Sequence, residues 1–206
     1  MKLYSPLFIG LRLLVYALIL LGIAEAIYFD AAHPMEEGYF GELTFTEIGQ
    51  ELILFVMFLF FLALSRKWME IKTIALLASL FYLASFIREF NFLVEHWIYL
   101  VLPVLALAGW ILYRDRKKFI QSVESFFRVP ATGLLVSGLL ITYLFSRLFG
   151  RSKFWRLLYH DESYRLAKAA TEEGLELLGN SLMLIAAAEF FLYYWFEVKG
   201  KNEKIR

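Results

Sequence analysis

The chain has 206 residues, 60% of them hydrophobic and 18% aromatic, with a mean hydropathy of +0.60. Soluble domains carry about 45–50% apolar residues and rarely string ~20 of them together, so this composition excludes an ordinary water-soluble domain. The absence of cysteine excludes disulfides, thiolate metal centres and cysteine nucleophiles, and a net charge of +1 says nothing until it is divided between two sides of a membrane.

Crossing the hydrocarbon takes about 20 residues at a rise of about 1.5 Å each, and six stretches qualify. The first, about 6–28, reads "PLFIGLRLLVYALILLGIAEAIY". Its Ala24-Glu25-Ala26 imitates a signal-peptide cleavage site, but the apolar region is longer than the usual ~7–15 residues and contains Arg12, so it reads as a span. The second covers about 48–65 and the third about 71–90. The fourth, about 94–113, holds Pro103, where a kink is predicted. The fifth, about 131–149, is the weakest, interrupted by Gly133, Gly138 and Thr142. After it, "FWRLLYHDESYRLAKAA" predicts an interfacial helix over about 153–170, aromatic on one face and basic on the other. The sixth, about 174–196, closes on the aromatic belt "YYWF". The expectation is an all-α polytopic integral membrane protein, a six-transmembrane-helix bundle forming one membrane domain over 1–206.

An even number of crossings puts both termini on the side of the 66–72 and 114–130 connections. That side collects 14 Lys and Arg against six acids, and the other side seven against 14, giving net charges of +8 and −7. The positive-inside rule makes the +8 side cytoplasmic, and the short, tail-poor design reads as a bacterial inner-membrane protein. One connection disagrees: Arg147, Arg151, Lys153, Arg156, Arg165 and Lys168 all fall on the outer side. The run Arg114, Arg116, Lys117 and Lys118, directly beside a span, suits anionic lipid headgroups better than nucleic acid.

The stretch "FIREFNFLVEHW", 86–97, puts ionisable groups around a tight turn near Asn91 to Leu93. Parity brings it to the same surface as the ends of spans one and six, so the pocket is bounded by the ends of spans one, three, four and six. The candidate pocket is therefore Glu25, Arg88, Glu89, Glu95, His96, Arg147, His160, Glu172, Glu173, Glu176 and Asn180. Carboxylates inside a span cost up to about 2.5–3.5 kcal/mol at the bilayer centre and normally face the bundle interior, paired. In "TEEGLELLGN", Glu172 and Glu176 are four apart and share a helical face, with Thr171 placed to cap the helix. Gly174, Gly179 and Ser181 let a neighbouring helix approach, and Asn180, one turn below Glu176, is placed to orient it.

Carboxylates and imidazoles without thiols suit a divalent metal such as zinc, iron or manganese, with His96, His160, Glu89 and Glu176 as candidate ligands. No HExxH or Glu-x-x-His spacing supports one, so the cofactor stays unassigned. Deeper, on the opposite half, Arg12 and Glu189 each sit ~8–10 Å inside the cytoplasmic boundary at helical rise. Neither should stay charged alone in lipid, so they are predicted to pair as a structural ion pair and to place spans one and six side by side.

There is no GxxxxGK[ST], GxSxG or GxGxxG pattern. Three classes remain: a ligand- or metal-binding membrane protein with lipid-directed chemistry, which is the leading expectation; a small transporter or ion-coupled protein using intramembrane carboxylates; and a non-catalytic scaffold or assembly subunit held by ion pairs. Neither enzymatic activity nor protein partners are legible.

Overall fold

Hydrocarbon offers no water to satisfy a backbone, so a stretch able to cross it closes its own hydrogen bonds as a helix. In the computed structural model, which describes residues 3–33, 40, 43–90 and 96–199, helix is the only regular structure. Helix α1 (Pro6–Ala32) begins with proline, whose missing N–H costs nothing in a first turn. It is followed by α2 (Phe45–Lys67), a 3₁₀ turn (Met69–Ile71), α3 (Lys72–Glu89), α4 (Trp97–Arg114) and α5 (Arg116–Phe127). Next come α6 (Ala131–Leu140), a π turn (Ile141–Phe145) and α7 (Ser146–Phe149), which read as one rod. The one-turn α8 (Ser152–Trp155) precedes α9 (Tyr164–Tyr193), which ends in a second π turn (Tyr194–Lys199). Six of these are long and apolar enough to cross a membrane: α1, α2, Met69–Glu89, α4, Ala131–Phe149 and Tyr164–Lys199.

Two expectations about elements need correction. The interfacial helix over 153–170 does not form as a separate unit. Only Ser152–Trp155 makes a turn there, residues 156–163 are turns and bends, and the rest is the start of α9. Nothing in "YRLAKAATEEG" stops a helix, and Arg, Leu, Ala and Lys all favour one. The sixth span therefore begins ten residues earlier than 174. Thr171 consequently lies inside the helix, and its Oγ1 donates to the Ala167 carbonyl at 2.7 Å instead of capping. The 114–130 connection in turn hides a helix the hydropathy profile does not show. Helix α5 is amphipathic, burying Ser122 and Phe126 while Arg116, Lys117 and Lys118 stay exposed. Thr132 Oγ1 donates to the Phe126 carbonyl at 2.6 Å, satisfying one of its last-turn acceptors. Pro103 sits inside an unbroken α4.

Contacts gather into two compact units, Met1–Gln50 with Leu134–Arg206, and Glu51–Gly133. In the first, α1 and the α6–α7 rod pack on α9. Gly138 and Gly179 let the rod touch α9 backbone to backbone: a Cβ on Gly138 would meet the Gly179 carbonyl oxygen at 2.6 Å. Arg12 Nη1 lies 2.7 Å from Glu189 Oε2, tying α1 to α9, and the Tyr16 hydroxyl donates to the other carboxylate oxygen. Asp30, buried at the end of α1, caps α2: its carboxylate accepts from Phe45 N at 3.1 Å, Thr46 N at 2.7 Å and Thr46 Oγ1 at 2.5 Å.

The second unit is built on α3, which packs against α4 and α5. Phe61 stacks on Tyr82 with ring centroids 5.6 Å apart and meets Phe126 at 6.3 Å. Ser122 Oγ of α5 accepts the Ile74 N–H at 3.0 Å, satisfying a first-turn donor of α3.

Candidate functional site

One face of the α6–α7 rod carries Leu135, Gly138, Thr142 and Ser146, all buried, at spacings of three and four residues. That face meets α9. Thr142 Oγ1 lies 3.4 Å from the Glu176 carbonyl oxygen, which the Gly179 contact makes possible. One turn on, Ser146 Oγ lies 2.6 Å from the Thr142 carbonyl oxygen and 3.1 Å from Glu176 Oε1, so its single proton has two acceptors to serve. The adjacent Arg147 reaches back to the Glu176 carboxylate and lies 3.5 Å from Glu172, whose other oxygen takes Lys168 Nζ at 3.1 Å. Two cations and two carboxylates thus neutralise one another. Arg147 itself is 45% exposed, which places this cluster at the rim rather than in the dry interior.

Glu173 stands outside that balance. Its Oε2 accepts from Gln50 Nε2 at 2.9 Å, and Gln50 Oε1 accepts from Asn180 Nδ2 at 3.3 Å. Gln50 and Asn180 are 4% and 1% exposed, so the amide pair forms a dry floor beneath the carboxylate. Among the described residues no Lys, Arg or His lies within ion-pair distance of Glu173, while Glu47, Glu176 and Glu172 bring like charge near it. Asn180 Oδ1 is buried with no partner among the described residues, a deficit of about 1–3 kcal/mol for a polar atom removed from water. Together these make a site with an unbalanced carboxylate, an amide relay and one unused acceptor.

The residues expected from sequence divide between the two units. Arg147, Glu172, Glu173, Glu176 and Asn180 gather around α9 in the first. In the same unit Glu25 is exposed on α1 and His160 is exposed in the turns before α9. The second unit holds Arg88 and Glu89, paired at 2.5 Å where α3 ends, and His96, exposed at the start of α4 with its ring stacked on Tyr99. Glu95 and the turn near Asn91 to Leu93 lie outside the described residues, as do Lys2 and the last seven residues. Asn180 does not orient Glu176; it bonds Gln50 and so supports Glu173. Within the units, Glu89 and His96 belong to the second and His160 and Glu176 to the first, and among the described residues no group of three His, Asp or Glu side chains is placed to hold a metal ion.

Sequence reasoning missed Gln50 and Ser146. Gln50 had a signal: it interrupts an apolar face four residues after Thr46. Ser146 had none, since serines bond their own helix carbonyls as readily as a neighbour. No protein-family model matches the chain, and comparison with curated proteins and with solved structures finds no significant similarity.

Proposed function

We propose that this is an ion-coupled integral membrane protein of the bacterial inner membrane, with both termini cytoplasmic, that takes up a proton or a monovalent cation at Glu173. The observation that carries the reading is the carboxylate of Glu173, at the entry to the apolar stretch of α9, with an amide donor and, among the described residues, no cation within ion-pair distance. Such a group is expensive in a membrane, and intramembrane carboxylates without a fixed counter-charge commonly mark ion or proton sites. Gln50 and Asn180 supply the remaining machinery, because an amide that donates to a carboxylate can rotate to offer its oxygen to a cation instead. The free Asn180 Oδ1 is a second neutral oxygen at the same place. Amide oxygens and carboxylates of this kind suit hard monovalent ions.

Infrared difference spectroscopy of the reconstituted protein during a pH titration tests this directly. The expected result is a protonated-carboxyl band that titrates with pH, disappears in Glu173→Gln and persists in Glu176→Gln; its loss on adding sodium assigns a cation, and its indifference to sodium assigns a proton. A wild-type protein with no titrating carboxyl band, or a Glu173→Gln variant that keeps the band, overturns the proposal. The scaffold reading draws on a different observation, the closed ion-pair cluster of Arg147, Lys168, Glu172 and Glu176. It expects Glu173→Gln to leave every ion response unchanged. The metal-binding reading keeps the least support, for want of a three-ligand group among the described residues.

A further inference from the structure

The second unit contains a cleft of about 550 Å³ far from any residue of the proposed ion site in sequence, within the ~300–1,000 Å³ range of small-ligand sites. Three elements each send one cation to its wall: Lys72 opens α3, Arg114 ends α4 and Lys118 lies in the first turn of α5. Neutral hydrogen-bonding side chains interleave with them, Thr73 from α3 and Gln121 and Ser125 from α5. Leu76 and Ile111 supply apolar surface on the span side. We infer that this cleft binds a phosphate group, in the form carried by an anionic lipid headgroup or by a small soluble phosphate ester.

Charge placement supports an anion over a cation. Asp115 also lines the cleft, but Arg114 Nη2 already holds it at 2.7 Å. Arg114 has further N–H donors beyond that one, and its guanidinium is fixed over the Trp110 ring at 4.3 Å. Neither Lys72 nor Lys118 lies within ion-pair distance of a carboxylate among the described residues, which leaves two cations facing one other acid, Glu70. Arg114 holds the Asp115 carboxyl below its usual range, and Lys118 and Lys72 act in the same direction, so positive potential converges here. Helix α3 starts in this wall, where Ser122 Oγ takes the Ile74 N–H, and its dipole adds to the same potential.

The position is that of a headgroup. The cleft lies where two span-length helices end and the amphipathic α5 begins, the depth at which lipid phosphates sit beside snorkelling basic residues. A diffuse basic surface would attract anionic lipid equally through every cation near it. A built pocket would not, and this chain offers its own control. Arg116 and Lys117 adjoin Lys118 in sequence and are exposed, yet they do not line the cleft.

Native mass spectrometry of the full chain, purified from mixed phosphatidylcholine and phosphatidylglycerol vesicles, measures retained lipid. The double variant K72Q/K118Q should lose phosphatidylglycerol retention by about tenfold, while R116Q/K117Q changes it less than about twofold. The variant K72R/K118R, which keeps the charge, should retain the lipid, and this separates lost binding from lost folding. If wild type retains no phosphatidylglycerol but is stabilised against heat by millimolar inorganic phosphate, and K72Q/K118Q is not, the source is a soluble phosphate. Equal loss in both double variants, or no response of wild type to either probe, overturns the inference.

Discussion

At the scale of single residues, the energetic weight lies on polar groups that the apolar helices bury. Arg12 and Glu189 are 14% and 25% exposed, so either charge left alone would be poorly solvated. Removing one partner of a buried pair costs about 3–5 kcal/mol. Accordingly Arg12→Ala should lower the unfolding free energy in detergent by about 3 kcal/mol, less if water reaches the partner. The exchange Arg12→Glu with Glu189→Arg should recover part of that loss, and a double variant no better than either single change would refute the pairing. Asp30 is a different case, since its carboxylate replaces the missing capping partners of α2. Asp30→Ala should cost about 1–2 kcal/mol, and Asp30→Asn clearly less, because the amide keeps one acceptor. Denaturant titration followed by tryptophan fluorescence distinguishes the two. Arg12 and Glu189 could be paired from sequence because both were single charges at matching depth. Asp30 could not, because nothing in a span-end aspartate says which helix it caps.

Elements are governed by close approach. The α6–α7 rod reaches α9 through Gly138 and Gly179, and a Cβ on Gly179 would lie 2.2 Å from Thr142 Oγ1 and 2.8 Å from the Gly138 carbonyl oxygen. A threonine hydroxyl can rotate away, but a carbonyl cannot. Gly179→Ala should therefore push the rods apart and destabilise by about 1–3 kcal/mol, the usual cost of overpacking. Gly109→Ala in α4 has nothing within 4 Å of the new Cβ and should be neutral or stabilising. Thermal melts of the two variants, run side by side, check the contrast; equal melting temperatures would mean the glycine contact carries no weight. At this scale the sequence was legible in part. Small residues in the sixth span announced a contact surface, but Gly138 read only as an interruption of the fifth, and nothing in the spacing said that it would face Gly179. The start of α9 was misjudged because hydropathy marks where a helix enters lipid, not where it begins.

For the whole molecule, the proposed orientation can be read chemically, since a chain without cysteine accepts single cysteines as unambiguous tags. In intact cells a membrane-impermeant thiol reagent should label Leu157→Cys and leave Lys67→Cys and Lys117→Cys untouched until the membrane is opened. Labelling of Leu157→Cys and Lys117→Cys in the same compartment would remove a crossing and with it the proposed topology. The two compact units meet different demands. On the proposed reading, the first balances the Glu173 carboxylate with a proton or a cation, and the second gathers cations from three elements for a phosphate.

Length, hydropathy and charge asymmetry determined that this protein is helical and has six stretches able to cross a membrane, because backbone satisfaction in hydrocarbon depends on local sequence alone. They also singled out Arg147, Glu172, Glu173, Glu176 and Asn180, which gather around α9. Only tertiary structure decided the partners. Glu176 and Glu172 share Arg147, Glu173 is left to Gln50 and Asn180, and three cations from three elements line one cleft. Such pairings depend on helix rotation and depth to within a few ångströms, and hydropathy along a chain carries neither quantity.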